Sequence, residues 1–466
     1  MTGSTQVEQL APLDLPMPTT YIRVFFAFET IASKKVVVSG LQRGLDKLSS
    51  QLPWLCGIVY QTTSSQGKPS LQIRSNADDA PTVVEKGSIQ RSYQSMSASE
   101  MAPNDIPVKF WPAPALIDGA RSAKGAPVFA ASVFGFPDNA VGLCVCVHHN
   151  AVDATGFSEV MRLWAQNMTD ETFDLSGISQ ERTERLSTAL SPPLDERSDL
   201  SVDDLFARHP EYSQTPPAFP EKFPSCTSKV FRLSAHWINV LKELLHKSTS
   251  TTPTTNSILS ALIWSSITRA RLRRDPTLEK ITSRLCTAVN IRKRIDQGKL
   301  VDQQPYFGNA VVYSLSSCSA DSLAKSDETP ICDLAKICDE ISQSYSETVI
   351  NSNHIAEVCL LVEKLEDYRS LFVGWDLFGS RDVTITSWAD LGLYEMSFGA
   401  LIGYPQFIRM PFMEADGVAI VLPRKRTIAE VEEQLEVMIM LRADDMASLE
   451  TDSMWQTLGS ARGAKV

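Results

Sequence analysis

The chain has 466 residues, of which 43% are hydrophobic and 21% are charged. This composition is typical of soluble globular proteins and excludes a disordered or collagen-like chain, and the length predicts two domains. The formal net charge of -11 repels phosphate-rich surfaces at long range, so it argues against nucleic acid and membrane surfaces as partners.

Neither the cysteines nor the N-terminus indicates a special compartment or a metal. The nine cysteines form no CxxC pair and none has zinc-site spacing to a histidine, so we expect reduced thiols and no metal site. The N-terminal segment MTGSTQVEQLAPLDLP lacks the basic and apolar regions of a signal peptide. No apolar run reaches the roughly 20 residues that span a membrane. We therefore expect a cytoplasmic protein.

Strand and helix patterns alternate in the first part of the chain. Short aromatic or β-branched runs predict strands, and leucines at helical spacing predict helices. The two apolar runs before His149 are separated by a Pro-Asp-Asn turn and predict neighbouring buried strands. The predicted strands are 21–29, 57–63, 70–75, 127–134 and 141–148, and the predicted helices are 41–52 and a stretch after Gly156.

Periodicity is lost from about residue 166 to 225, where Ser, Thr, Pro and charged residues accumulate. Such a segment is typical of a linker. Alternating strands and helices then resume, so we predict two α/β or α+β domains, at 1–205 and 229–466, joined by a linker at 206–228. In the second part the predicted strands are 229–234, 287–294, 309–316, 382–388 and 417–423, and the predicted helices include 254–271 and about 427–443.

One motif stands at the end of a predicted strand. The sequence HHNAVDATG begins at His148, and an imidazole at a strand end can reach a cleft and accept a proton near neutral pH. The carboxylate of Asp153 would either orient the ring of His149 or turn away and fix the loop through a cation. Packing and helix capping are the alternative explanation, because a bare His-x-x-x-Asp spacing is weakly specific.

Several other segments match one family in the order in which they occur. HHNAVDATG resembles the HHxxxDG signature of the BAHD acyltransferases, with Ala154 where glycine is usual, and TSWADLGLYEMSFGALIGYP (386–405) resembles their second signature region. The chain thus resembles their fungal branch acting on secondary metabolites, and more distantly chloramphenicol acetyltransferase and peptide-synthetase condensation domains. Further similar segments are LPWLCG (52–57), TNSILSALIW (255–264), AVNIRKR (288–294), YFGNAV (306–311) and DGVAIVLPR (416–424).

The resemblance implies two chloramphenicol-acetyltransferase-like domains of the α/β (α+β) class, each a mixed β-sheet flanked by helices, with a solvent tunnel between them. Acyl-CoA, with acetyl-CoA expected, would enter from one face as co-substrate. A small-molecule metabolite with a hydroxyl or amine would enter from the other face. The family default is a monomer without a permanently bound cofactor.

The resemblance also implies roles for individual residues. His149 would remove the acceptor proton and return a proton to the CoA thiolate, without a covalent acyl-enzyme. Asp153 would be the structural carboxylate of the catalytic motif, paired with an arginine, and Thr386 would donate to the oxyanion. Trp388, His148 and Phe398 are assigned to the substrate pocket, and Thr255, Asn256, Ser257 and Arg273 to CoA binding.

The second signature departs from the family. Where the family has DFGWG, this chain begins with Ser397, so the aspartate is missing. In the family that carboxylate is thought to pair with an arginine near the NxR segment, which corresponds here to Arg292 or Arg294. Glu395 is the candidate replacement. Loss of one structural ion pair is tolerable when no charge is left unpaired in the interior.

Two other functions remain open. The same scaffold and base would serve an enzyme that condenses or cyclises a metabolite without CoA. A non-catalytic homologue that binds a metabolite is supported by the altered second signature and opposed by the intact His149 and Asp153. Serine hydrolases and phosphate-binding NTPases are excluded, since neither GxSxG nor GxxxxGK[ST] occurs.

Overall fold

The computed structural model describes residues 5–76, 80–170, 181–190, 199–295, 298, 300–301, 304–324, 330–426 and 433–459. The strands are β1 (Thr5–Gln9), β2 (Tyr21–Glu29), β3 (Ile58–Thr63), β4 (Pro69–Asn76), β5 (Val83–Ser88), β6 (Ala126–Pro127), β7 (Phe129–Gly135), β8 (Ala140–His148), β9 (Tyr212–Ser213), β10 (Cys226–Ser234), β11 (Thr282–Asn290), β12 (Val311–Ser319), β13 (Phe372–Val373), β14 (Val383–Ser387), β15 (Phe407–Arg409), β16 (Val418–Val421) and β17 (Gln434–Arg442). The helices are α1 (Lys34–Gln51), α2 (Tyr93–Ala98), α3 (Gly119–Lys124), α4 (Ala154–Thr169), α5 (Arg182–Ala189), α6 (Val202–Arg208), α7 (Ala235–Leu245), α8 (Thr255–Arg274), α9 (Ala320–Ala324), α10 (Pro330–Ser344), α11 (Ser352–Lys364), α12 (Ala443–Glu450) and α13 (Ser453–Gly459).

The first core is built on a five-stranded sheet with the order β15-β2-β8-β7-β5. Every residue of β8 is buried, because helices α1 and α4 cover one face of the sheet and the aromatic cluster around Phe110 covers the other. A strand buried on both faces reads as a continuous apolar run, and this explains why its position was predictable. Cys144 and Cys146 both point into the aromatic cluster.

The second core is built on a six-stranded sheet with the order β10-β17-β16-β14-β11-β12. Strand β14 pairs in parallel with β11 and β16, and the other pairs are antiparallel. Helix α8 lies against this sheet, where the indole Nε1 of Trp264 donates to Ser283 Oγ at 2.9 Å. The predicted pair of mixed sheets with flanking helices is confirmed. Within the described ranges, no helix has the length and apolar character needed to cross a bilayer.

The predicted helix at about 427–443 is wrong. Residues 427–432 lie outside the described part of the chain, and Gln434–Arg442 forms β17 in the second sheet. Leu435, Val437, Ile439 and Leu441 face the second core, while Met438 and Met440 face the first core. Because both faces are buried, the alternation of a strand is hidden in an apolar run that also suits a helix.

The chain does not divide as simply as the predicted ranges 1–205 and 229–466. Strand β15 comes from the second range but pairs with β2, with Phe407 opposite Ala27 and Arg409 opposite Phe25. Helix α6 extends into the predicted linker 206–228, and residues 171–180 and 191–198 of the preceding Ser- and Pro-rich stretch lie outside the described residues. A stretch of the second half thus completes the first sheet.

Arg409 holds β15 in this position. Its guanidinium is nearly inaccessible and donates to both carboxylate oxygens of Glu436 on β17, at 2.8 and 2.9 Å. It also donates to the carbonyl oxygens of Glu100 and Met101 at 3.0 and 3.1 Å. A bidentate, buried arginine therefore ties the crossing strand to the second sheet.

We predict that Arg409→Met lowers the free energy of unfolding by about 3 kcal/mol, because the largely buried Glu436 carboxylate loses its bidentate partner and retains the partly exposed Arg232 at 3.1 Å. Arg424 is the matched control, since its pair with Glu433 is partly exposed. Arg424→Met should cost at most about 1 kcal/mol. Chemical unfolding of both variants measures the difference, and equal costs would contradict this role of Arg409.

Candidate active site

His149 directly follows β8 and is held in place through its backbone. Its N–H donates to Thr20 O at 2.9 Å, and its carbonyl oxygen accepts from Asn309 Nδ2 at 2.9 Å. Asn309 lies between β11 and β12, in the second half of the chain. The position of this imidazole is therefore fixed jointly by the two halves.

The ring of His149 is only partly exposed. Burial lowers its pKa below the ordinary value of 6.5, although the charge of Asp153 and the nearby Asn309 side chain act in the opposite direction. Its Nδ1 atom is buried and has no hydrogen-bond partner among the described residues. An imidazole that is neutral near pH 7 is in the state that a general base requires.

The carboxylate of Asp153 is engaged elsewhere. Oδ1 accepts from Gly156 N at 2.8 Å and from Arg292 Nη2 at 2.9 Å, while Oδ2 accepts from Arg292 Nη1 at 2.8 Å and from Ala310 N at 2.9 Å. Asp153 is thus the N-cap of α4 and half of a buried, bidentate ion pair. None of its hydrogen bonds within the described ranges goes to the imidazole.

Gly156 permits the close approach of the two halves at this point. A side chain there would place its Cβ 2.1 Å from the carbonyl oxygen of Phe307, a distance that cannot be accommodated without moving the backbone. Arg292 fixes the same segment by donating to the carbonyl oxygens of Tyr306 and Gly308 at 3.1 and 2.8 Å. Ala154, which departs from the family signature, packs partly buried against the first core.

The arginines expected to pair with the second signature have other partners. Arg292 pairs with Asp153, and Arg294 donates to the carbonyl oxygens of Ser346 and Ile350. The expectation that Glu395 replaces the missing aspartate is wrong, because Glu395 is exposed and lies 4.0 Å from Arg426. Arg292 is nevertheless fully paired, so the loss of that aspartate leaves no unpaired charge at the reaction centre.

Asp14 was not singled out from the sequence, yet it positions Asn309. Its Oδ1 accepts from Asn309 N at 2.7 Å and from Asn309 Nδ2 at 2.8 Å, and Arg182 lies 3.7 Å away. Burial raises the pKa of Asp14 to about 6, although the charge of Arg182 and these hydrogen bonds oppose the rise. The two partners are 295 positions apart, so local sequence could not reveal the pairing.

Thr386 lies on β14, and Trp388 directly follows that strand. Thr384 and Thr386 are both half-buried on one face of β14. The hydroxyl of Thr384 accepts from Trp375 Nε1 at 2.9 Å, whereas that of Thr386 makes no hydrogen bond with another described residue. Trp388 is buried and its ring centroid lies 5.9 Å from that of Phe157. Trp388 therefore packs against the helix that Asp153 caps.

Phe398 is a core residue, and its assignment to the substrate pocket is corrected. Its side chain is 1% exposed, and its ring centroid lies 5.3 Å from that of Phe28 and 6.0 Å from that of Trp164. Those two residues belong to β2 and α4 of the first core. A ring enclosed in this way is not accessible to a substrate.

His148 is buried and borders a cavity. Its Nδ1 accepts from Asn150 N at 3.2 Å, its ring lies edge-on to Tyr21 at 5.6 Å, and burial lowers its pKa to about 3. The cavity has a volume of about 270 Å³ and is also lined by Met17, Asn150 and Tyr368. His148 is therefore uncharged near neutral pH and forms part of the wall of this cavity.

The residues assigned to CoA do not form one site. Ser257 is inaccessible, and its hydroxyl is used in the capping box with Thr254 at the start of α8. Arg273 is 18 residues further along α8 than Thr255, which is roughly 27 Å at 1.5 Å per residue. Of the four assigned residues, Thr255 and Asn256 are the ones that are partly exposed at the N-terminus of the helix.

The basic cluster at the end of α8 is largely neutralised by carboxylates. Arg271 and Arg274 pair with Asp416 and Asp445 at 3.0 and 2.8 Å. Arg269 and Arg273 both pair with Asp452, at 2.9 and 3.4 Å. The assignment of Arg273 to CoA is therefore corrected, because it lies far from the helix start and is already paired.

Comparison with known proteins agrees with this geometry. A family model described as the Transferase family matches residues 4–455. The chain belongs to this family. Trichothecene 8-O-acetyltransferase of Fusarium sporotrichioides is 28% identical, over 96% of this chain and 97% of that protein. O-acetyltransferase ptmV of Penicillium ochrochloron is 26% identical, over 96% and 95%. The resemblance to fungal BAHD acyltransferases is thus confirmed.

Solved structures share the fold of this Transferase family member. Fusarium graminearum TRI101 complexed with Coenzyme A and Deoxynivalenol has a TM-score of 0.80 at 19% identity, over 97% of this chain and 99% of that chain. Vinorine synthase has a TM-score of 0.64 at 16% identity, over 98% of each chain. The predicted fold class is confirmed over nearly the full length of the chain.

We predict that Arg292→Met lowers the free energy of unfolding by about 3–5 kcal/mol, because it leaves the buried Asp153 carboxylate without a cation. Arg294→Met is the matched control, two residues away. Arg294 is partly exposed and, among the described residues, its guanidinium donates to carbonyl oxygens at 3.3 and 3.4 Å, so this substitution should cost about 1 kcal/mol.

The double variant Asp153→Leu with Arg292→Met tests whether the two side chains act as a pair. It should be more stable than the sum of the two single losses implies, because neither charge is left unpaired in the interior. Guanidinium unfolding of the four proteins measures the coupling. Strictly additive losses would contradict the ion pair as the source of stability.

Proposed function

We propose that this protein is a CoA-dependent acyltransferase that transfers an acetyl group from acetyl-CoA to a hydroxyl of a small secondary metabolite. The observation that supports this most directly is the state of His149. Its imidazole stands at a strand end between the two halves, burial favours its neutral form, and the neighbouring carboxylate is occupied by Arg292. A single uncharged base is what acyl transfer from a thioester requires.

The relatives support the choice of donor and acceptor. The similar proteins of Fusarium and Penicillium are named O-acetyltransferases, and solved TRI101 structures contain Coenzyme A with Deoxynivalenol or T-2 mycotoxin. A hydroxyl is therefore favoured over an amine, and a metabolite over a macromolecule. The alternatives of a condensing or cyclising enzyme and of a non-catalytic homologue have no comparable support.

In the proposed reaction, the imidazole of His149 removes the hydroxyl proton while the acceptor oxygen attacks the thioester carbonyl. The tetrahedral intermediate collapses by breaking the carbon–sulfur bond, and the imidazolium returns the proton to the CoA thiolate. Asp153 takes no proton in this scheme, because it is committed to Arg292 and to the cap of α4. It positions the loop that follows the base.

Thr386 is proposed as the donor to the oxyanion, since its hydroxyl is uncommitted among the described residues. A preorganised donor of this kind contributes on the order of 3 kcal/mol. The backbone N–H of Trp388 is already bonded to Val421 O at 2.8 Å, so the Trp388 ring, beside Phe157, is proposed only as a pocket wall.

CoA is proposed to pass the N-terminus of α8 at Thr255 and Asn256, because a helix N-terminus favours phosphate.

We also propose a monomer, since a single chain supplies both the base and the Asn309 amide that holds it. The cytoplasm is the proposed compartment.

The proposal predicts that His149→Ala lowers kcat for acetyl transfer by about 10²–10⁴-fold, the usual contribution of a general base. The assay follows release of the CoA thiol with acetyl-CoA and a panel of hydroxylated terpenoids and polyketides. His246→Ala is the control, because His246 is exposed and its ring bonds only to Thr252 within the described part of the chain. Equal turnover in both variants would remove His149 as the base.

A further inference from the structure

A second cluster of imidazole and carboxylate groups lies outside the reaction centre. His209 follows α6, Glu211 precedes β9, and His354 lies in the first turn of α11. His209 is 1% and Glu211 4% exposed, and the His354 side chain is 14% exposed. No metal site was expected from the cysteine spacings, and the separation of these two segments by about 145 positions hides the cluster from the sequence.

The atoms of this cluster have the separations of metal ligands. Glu211 Oε1 lies 3.0 Å from His209 Nδ1 and 3.2 Å from His354 Nε2, and one ligand atom from each residue lies within 4.8 Å of the others. Ligands that bind zinc tetrahedrally at about 2.0–2.2 Å are about 3.3 Å from one another. Two of the three separations are already close to this value, and a shortening of the third, between the two imidazole nitrogens and at most 4.8 Å, would place three ligands around one ion.

Two further features favour a metal over a purely hydrogen-bonded cluster. His354 Nε2 is buried and, although it is close to Glu211, makes no hydrogen bond of acceptable geometry with a described residue. The second ring nitrogen of His209, Nε2, lies 3.2 Å from Glu357 Oε2. Histidine ligands usually donate their other N–H to a carboxylate, which fixes the tautomer with a lone pair toward the ion.

We propose that His209, Glu211 and His354 bind one divalent transition-metal ion of the zinc type, with Glu357 as the carboxylate that orients His209. The remaining coordination positions are filled by water, which can enter beside the partly exposed His354. The ion connects the start of the segment between the two halves to α11. Its role is structural, since none of these residues belongs to the reaction centre around His149.

Calorimetry with ZnCl₂, and absorption spectroscopy with CoCl₂, test this on the full-length protein after removal of any affinity tag. The wild type should bind one equivalent, show the ligand-field bands of bound Co²⁺, and gain a higher melting temperature that EDTA reverses. The absence of stoichiometric binding would overturn the proposal, and the cluster would then be held only by hydrogen bonds and ion pairs.

Three variants locate the site. His354→Gln should weaken zinc binding at least tenfold, and because this side chain is partly exposed the variant should still fold. Glu357→Gln keeps all three ligands and should weaken binding about 10–100-fold. His236→Gln, at an exposed position on α7, should bind like the wild type. Wild-type affinity in His354→Gln would overturn the proposal, because the ion would then be bound elsewhere.

Discussion

The buried ion pair between Asp153 and Arg292 is the contact on which the arrangement of the reaction centre depends. The carboxylate caps α4 and accepts from Ala310 N, while the guanidinium holds the carbonyl oxygens of the segment before it. Asn309, within that segment, holds the backbone of His149. The base is thus positioned by a carboxylate that does not touch it, and removing either charge disturbs both halves at once.

The same pair explains why the altered second signature is tolerated. Arg292 already has a bidentate partner in Asp153, so a serine at position 397 does not leave Arg292 unpaired. The two halves are also joined independently of this contact, because β15 completes the first sheet and Arg409 links it to Glu436 on β17. The chain can therefore keep the family fold and the His149 base although its second signature has lost the aspartate.

Much of this architecture could be predicted from the sequence, and the exceptions have physical reasons. Strand β2 was predicted with its observed bounds because aromatic and β-branched residues dominate it. Strand β17 was read as a helix because burial on both faces removed its alternation. Asp14 and the cluster around Glu211 were missed because their partners are far away in the chain. Phe398 was misassigned because a motif position does not reveal which way a ring points.

If a neutral His149 is the sole base, the pH dependence of kcat/KM for acetyl transfer reports the titration of its ring. The ring must be deprotonated to act, and burial lowers its pKa, so activity should persist as the pH falls and disappear only below about 6.5. Asp14 has a pKa of about 6 and could titrate in the same range. The variant Asp14→Asn removes that titration and should retain the acidic limb. An acidic limb above pH 6.5, or one that vanishes in Asp14→Asn, would contradict the role of His149 as the sole base.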